Sequence, residues 1–173
     1  NSPRKSFTSS IEKEIKMEIA IFAAGCFWGV ELNFSKVDGV KETQVGYIGG
    51  DTEDPTYEEI CGKTTGHAEA IEIKYDPSVI GYEGLLEKLW EFHDPTTLNR
   101  QGPDQGTQYR SAIFYLDELQ KNIAEKSIAA LDASGKFQNP VVTSLEVVDK
   151  FWRAEEYHQK YLEKKGITIA CVS

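Results

Sequence analysis

A CxxC pair is absent from this chain. Its three cysteines, Cys26, Cys61 and Cys171, are odd in number and widely spaced. That excludes a zinc ribbon or a thioredoxin-type motif and argues against a disulfide scaffold. The three histidines, His67, His93 and His158, are scattered, and no two stand four residues apart as a helix-borne metal pair would. No metal is therefore expected. Long apolar runs are missing as well. No stretch is long enough to cross a bilayer, and the first sixteen residues, NSPRKSFTSSIEKEIK, lack the apolar segment of a signal peptide. Basic residues are the minority, with a net charge of −9. Binding to nucleic acid or to an anionic membrane needs basic patches and is not expected. Neither internal repeats nor low-complexity segments occur.

What is present fits one folded domain. The 173 residues are 40% hydrophobic, enough for a core of their own. The Ser-rich, basic start reads as a disordered arm over 1–16, ahead of a folded unit over 17–165 and a tail over 166–173. The chain opens on Asn1, so a processed or trimmed start is expected. The cytoplasm is the expected compartment, with an organelle or the cell envelope left open by that start.

EIAIFAA (18–24) is apolar on both faces and reads as a central strand. After Gly25, apolar residues recur at Phe27, Val30, Phe34 and Val37, which is helical spacing, and Gly39 ends the helix. VKETQVGY predicts a strand and IGGDTEDPT a loop. HAEAIEIKY (67–75) alternates as a strand, and Tyr82 to His93 is an amphipathic helix stopped by Asp94-Pro95. YRSAIFYL is a further strand. Asp117 and Gln120 suggest a capping box for a third helix ending near Gly135. VVTSLEVV predicts another strand, and a fourth helix is expected from about Arg153 to Lys164. Adjacent strands without an intervening helix imply antiparallel pairing. The expected architecture is a two-layer α/β sandwich with a mixed sheet, built around a ferredoxin-like split βαβ core.

Cys26 falls where the first strand turns into the first helix. Free N–H groups and the positive end of the helix dipole there would stabilise a thiolate, and Gly25 leaves the sulfur uncovered. A nucleophile with a lowered pKa is one reading, and a core cysteine that ends a strand is the other. Phe27 belongs to the helical apolar stripe. Trp28 lies one residue off it, so its ring either walls an apolar pocket beside the thiol or simply packs.

Glu69 shares a strand face with His67, Ile71, Ile73 and Tyr75. If that face is buried, desolvation keeps the carboxyl protonated near neutrality and makes it an acid. The opposite face, Ala68, Ala70, Glu72 and Lys74, looks the more exposed. His67 reads either as a base or as a hydrogen-bonded histidine at a strand end. Tyr57 and Tyr109 lie in loops, the latter five residues after Asp104. Their phenols could donate to a developing negative oxygen or serve packing. Cys61, without a partner in its neighbourhood, reads as a buried or incidental thiol.

Taken together, GCFWGVE, YIGG, PTYEEIC, TGHAEA, YDPSVI, FHDPT, NRQGPDQGTQYRSAI and AEEYHQKYL resemble the A-type peptide methionine sulfoxide reductases, from about Met17 to Leu162. The resemblance implies that Cys26 attacks the sulfoxide sulfur and that Glu69 protonates its oxygen. It implies that Tyr57 and Tyr109 hydrogen-bond that oxygen, supported by Asp104. Phe27 and Trp28 would hold the ε-methyl group, with His67 counted among the substrate-binding residues. It further implies specificity for the S epimer, substrates that are oxidised proteins or free methionine sulfoxide, no metal or organic cofactor, and recycling by thioredoxin or another thiol. A monomer is expected.

Attack would leave a sulfenic acid on Cys26, which a second thiol condenses to a disulfide. Cys171 is first in rank for that role. Its surroundings, ITIACVS, are apolar and β-branched where the family carries glycine, so Cys61 and an external thiol stand behind it. Two other classes compete: a thiol peroxidase or Cys–His hydrolase built on Cys26, and a non-catalytic module that binds methionine-rich peptides. Neither accounts for Glu69, Tyr57 and Tyr109 together.

Overall fold

Strand β1 (Glu18–Ala24) runs through the middle of the protein, its last five residues buried. The computed structural model describes residues 16–168. Residues 1–15, most of the expected arm, lie outside the described residues, as does Cys171 in the expected tail. Helix α1 (Phe27–Ser35) follows β1, then β2 (Val40–Ile48), α2 (Tyr57–Cys61), β3 (Ala68–Tyr75) and α3 (Tyr82–Phe92). A short hairpin of β4 (Arg100–Gln101) and β5 (Asp104–Gln105) and a 3₁₀ turn (Thr107–Tyr109) lead into β6 (Ser111–Tyr115). The chain continues through α4 (Glu118–Ala133), β7 (Ser144–Val147), β8 (Trp152–Arg153), a 3₁₀ turn (Glu156–His158) and α5 (Tyr161–Lys164).

Six strands form one sheet in the order β7-β6-β1-β3-β2-β8. Every pairing is antiparallel except β6 with β7. The inner four, β6-β1-β3-β2, have α1 and α3 as their connections, which is the split βαβ arrangement that the strand and helix order predicts. The fold is a mixed α/β sandwich. One sheet face carries Phe22, Ile71, Ile73 and Tyr75 against Phe34, Leu85, Leu86, Leu89 and Trp90 of α1 and α3. These buried side chains drive the helices onto the sheet.

Three expectations differ from the structure. Ala68 and Ala70 are buried, because residues Val148 and Phe151 cover the second sheet face, where they join Ile21, Ala23, Ile48 and Phe114. Tyr57 is helical rather than in a loop: the Thr56 hydroxyl accepts from Glu59 N–H, and the Glu59 side chain accepts from Thr56 N–H. This capping box nucleates α2. The continuous helix expected from Arg153 to Lys164 is broken into β8, a 3₁₀ turn and α5. Trp152 and Arg153 pair with Tyr47 and Gly46. The Gln159 amide binds Val45 N–H and C=O and Ala154 C=O, and Lys160 turns into the left-handed region at φ +53°. These side chain–backbone bonds outcompete a regular helix.

Candidate active site

The site begins at the turn between β1 and α1. Gly25 has φ +90°, a conformation open to glycine. A Cβ there would come 2.7 Å from Cβ and Cγ of Gln101. The Gln101 amide is itself bonded to the backbone N–H and C=O of Asp94. The segment bearing Asp104 is thus held against the turn. Cys26 is the N-cap of α1 and half-buried. The next residue, Phe27, donates its N–H to Glu69 Oε1 at 3.2 Å. Glu69 is 1% exposed, and its Oε2 has no partner.

Burial and the charge of Asp104 raise the Glu69 carboxyl to about 8, against the pull of the Phe27 N–H. The Cys26 thiol runs opposite to expectation. Burial, then the negative charge of Glu69, push it up to about 12, although the N–H groups of Trp28 and Gly29 lower it. Two helix N–H groups do not overcome desolvation beside two carboxylates. Once Glu69 is protonated, one of those opposing charges is removed, so the two titrations are coupled.

Two phenols feel the same charges. Tyr109, at the end of its 3₁₀ turn, is raised by burial and then by Glu69, Asp104 and Cys26. Tyr57 opens α2 and is raised by burial, the Cys61 thiol and Glu69. Both stay protonated as donors. Cys26, Glu69, Asp104, Tyr57 and Tyr109 therefore form one electrostatic cluster. Cys61 is an exposed thiol at the end of α2, not a buried one. His67 is buried between two loops: Gly50 N–H donates to Nδ1 at 3.0 Å, and Nε2 meets Thr52 C=O at 2.7 Å. Both ring nitrogens are thus engaged by the 50–52 segment.

Phe27 is buried with Val45, Tyr47, Ile60 and Ala154, and Trp28, Tyr57 and Trp152 pack on that cluster. Trp28 is half-buried, stacked on Tyr161 with ring centroids 3.9 Å apart. Three residues of this neighbourhood escape the sequence reading. Glu155 accepts from the Tyr47 hydroxyl and from Tyr57 N–H, both at 2.9 Å. Tyr47 is fully buried, and its ring lies against Phe27. His158 accepts from the Trp28 indole. Only the motif AEEYHQKYL points to Glu155 and His158, and it assigns neither a role. Among the described residues, no three His, Cys, Asp or Glu side chains are grouped so as to hold a metal ion. No helix there is long and apolar enough to cross a membrane.

Residues 18–172 match the family model of peptide methionine sulfoxide reductase. The chain belongs to the peptide methionine sulfoxide reductases. Peptide methionine sulfoxide reductase MsrA of Methanothermobacter thermautotrophicus is 56% identical over 149 residues, 86% of this chain and 88% of that protein. MsrA of Geobacter sulfurreducens is 53% identical over 150 residues, 87% of this chain and 93% of the relative. Among solved structures, reduced Mxr1 from Saccharomyces cerevisiae superposes with a TM-score of 0.84 at 35% identity, covering 91% of each chain. Methionine sulfoxide reductase A of Corynebacterium diphtheriae gives a TM-score of 0.77 at 38% identity, over 87% of this chain and 76% of that one. The reductase is an oxidoreductase of a thiol-dependent family acting on methionine sulfoxide.

Proposed function

We propose that this reductase converts methionine-S-sulfoxide, free or in oxidised proteins, to methionine with Cys26 as nucleophile and Glu69 as acid. The observation that carries the reading is the Phe27–Glu69 hydrogen bond. It ties a buried, protonated carboxyl with an unpartnered oxygen to the residue next to the thiol. A sulfoxide oxygen leaves only when protonated, and an acid raised to about 8 holds that proton at neutral pH.

In the proposed step, sulfur of Cys26 attacks the sulfoxide sulfur while Glu69 gives its proton to the oxygen. The thiol proton, which the raised Cys26 pKa keeps on sulfur at neutral pH, passes to the Glu69 carboxylate as the bond forms, so the step leaves no net charge. Tyr57 and Tyr109 donate to the oxygen, Asp104 supports them, and Phe27 and Trp28 wall the pocket for the methyl group. His67 acts indirectly by bracing the 50–52 segment beside the site. The hydroxyl then moves from the methionine sulfur to the Cys26 sulfur as the new S–S bond breaks, so that methionine leaves and Cys26 becomes a sulfenic acid. The Cys171 thiol then condenses with it, forming a Cys26–Cys171 disulfide and water. A dithiol such as thioredoxin reduces that disulfide. Mxr1 has been solved in complex with Trx2, and we propose the same class of reductant here. No prosthetic group enters the cycle. In this reading residues 17–165 are the catalytic domain, 1–16 an arm and 166–173 the recycling tail, and the enzyme works as a monomer.

The test mixes fully reduced protein with excess methionine-S-sulfoxide and no reductant, then counts methionine formed and thiols lost. About one methionine with two thiols lost supports both steps. One methionine with a trappable sulfenic acid keeps Cys26 and removes Cys171. No methionine overturns the proposal.

A further inference from the structure

His158 is fully buried, yet the reaction proposed above does not use it. Its Nδ1 lies 2.9 Å from Nε1 of Trp28. An indole N–H only donates, so Nδ1 must be the acceptor and the imidazole must be neutral, with its proton on Nε2. Burial lowers the pKa of this histidine, in keeping with a neutral ring. The Nε2 atom is buried without a partner. An unsatisfied buried donor is costly, and a residue chosen for packing alone would avoid it.

The ring also touches more than Trp28. Its centroid lies 4.4 Å from that of Tyr57 and 5.2 Å from that of Phe27. Tyr161 stacks on the face of the Trp28 indole, with the planes 11° apart. The indole is therefore held at its edge by His158 and on its face by Tyr161, which restricts both side-chain torsions. The clamp is anchored by further bonds besides the one to Trp28: Lys160 N–H donates to Glu31 of α1 at 2.6 Å. Glu155 binds Tyr47 and Tyr57 N–H, and Gln159 binds the Val45 backbone. The hydrogen bond thus joins residues 130 positions apart in the chain.

We propose that His158 is a positioning residue of the reductase: its bond to the Trp28 indole fixes that ring beside Cys26 and thereby sets the affinity for the methyl-bearing end of the sulfoxide. The inference rests on the reading of Trp28 as a pocket wall. It concerns binding rather than proton transfer, because the acid is Glu69.

The experiment measures KM and kcat for methionine-S-sulfoxide in His158→Phe, His158→Asn and His158→Gln, each also in a Trp28→Phe background. His158→Phe should raise KM roughly five- to tenfold, the weight of one hydrogen bond. The kcat should stay within about twofold, and the alkaline fall in rate governed by Glu69 should not move. Asn sets its amide oxygen near the Nδ1 position and should restore most of the affinity; Gln reaches the Nε2 position and should not. In the Trp28→Phe background, which has no N–H to hold, His158→Phe should add nothing further. Equal losses in Asn and Phe, or a full multiplicative loss in the Trp28→Phe background, would overturn the proposal. If His158→Phe does not melt cooperatively, the ranking of Asn above Gln decides, and its reversal overturns the proposal. Absence of turnover in the unmodified enzyme refutes the reductase reading instead.

Discussion

The backbone N–H of Phe27 donates to Glu69 Oε1 at 3.2 Å, so the acid of β3 is held by the residue that follows the thiol of β1–α1. The bond crosses 42 positions of sequence and leaves the second carboxyl oxygen without a protein partner.

Glu69→Gln tests the acid. The amide keeps the shape and loses the proton, so the rate of the first turnover should fall about a hundredfold or more. In the unmodified enzyme that rate should be high below about 8, where Glu69 holds its proton, and should decline above it. The variant should lack this decline. Rapid-quench rates from pH 6 to 9 give the profile, and an unchanged profile removes the acid role.

The same substitution should change stability. A carboxyl raised from 4.5 to about 8 binds its proton more tightly in the folded state. Its contribution is favourable at low pH and is lost as pH rises through about 8. From pH 6 to pH 9 the unmodified chain should therefore lose on the order of 3 kcal/mol of stability that Glu69→Gln keeps. Denaturant midpoints at pH 6 and 9 check this, and an equal difference at both values refutes the burial argument.

Cys26→Ser should leave the circular dichroism unchanged and abolish methionine formation. Cys171→Ser should keep the first turnover and stop thioredoxin-driven cycling. Normal cycling in the second variant would pass the resolving role to Cys61 or to an external thiol.

Gly25→Ala should cost on the order of 2–3 kcal/mol, since φ +90° strains a side chain and the new Cβ meets Gln101 at 2.7 Å. Gly135→Ala is the control. It has φ +71° with open space around it and should cost about 1 kcal/mol. Equal losses in urea melts would show that contact with Gln101 is unimportant.

His93 predicts acid lability. Burial lowers it from 6.5 to about 4. Its Nδ1 meets Leu89 C=O, and its Nε2 meets the Ser111 hydroxyl, both at 2.7 Å. The unfolded chain binds the proton first, so this stabilisation is complete above 6.5 and is lost as pH falls toward 4. It amounts to on the order of 3 kcal/mol. His93→Gln should flatten the stability slope in that window, as urea melts at pH 4 and 7 can read.

Local pattern was enough for the framework. Apolar periodicity marked β1, α1, β3 and α3, because each of these buries a whole face against the same core. Gly25-Cys26 read as a strand-to-helix turn, and the alternation of 67–75 put Glu69 with Ile71 and Ile73. The short helix α2 had its signal in Thr56-x-x-Glu59, which the turn-forming composition around it obscured. What the tertiary structure decided was electrostatic and distant. A helix N-terminus alone lowers a thiol, but folding desolvates Cys26 and brings two carboxylates to it from β3 and β5, reversing the sign. The irregular course of 152–161 depends on partners in α1, β2 and α2. None of those bonds is local, so helical spacing in that segment was a poor guide, and the Trp28–His158 link came into view only once the chain had folded.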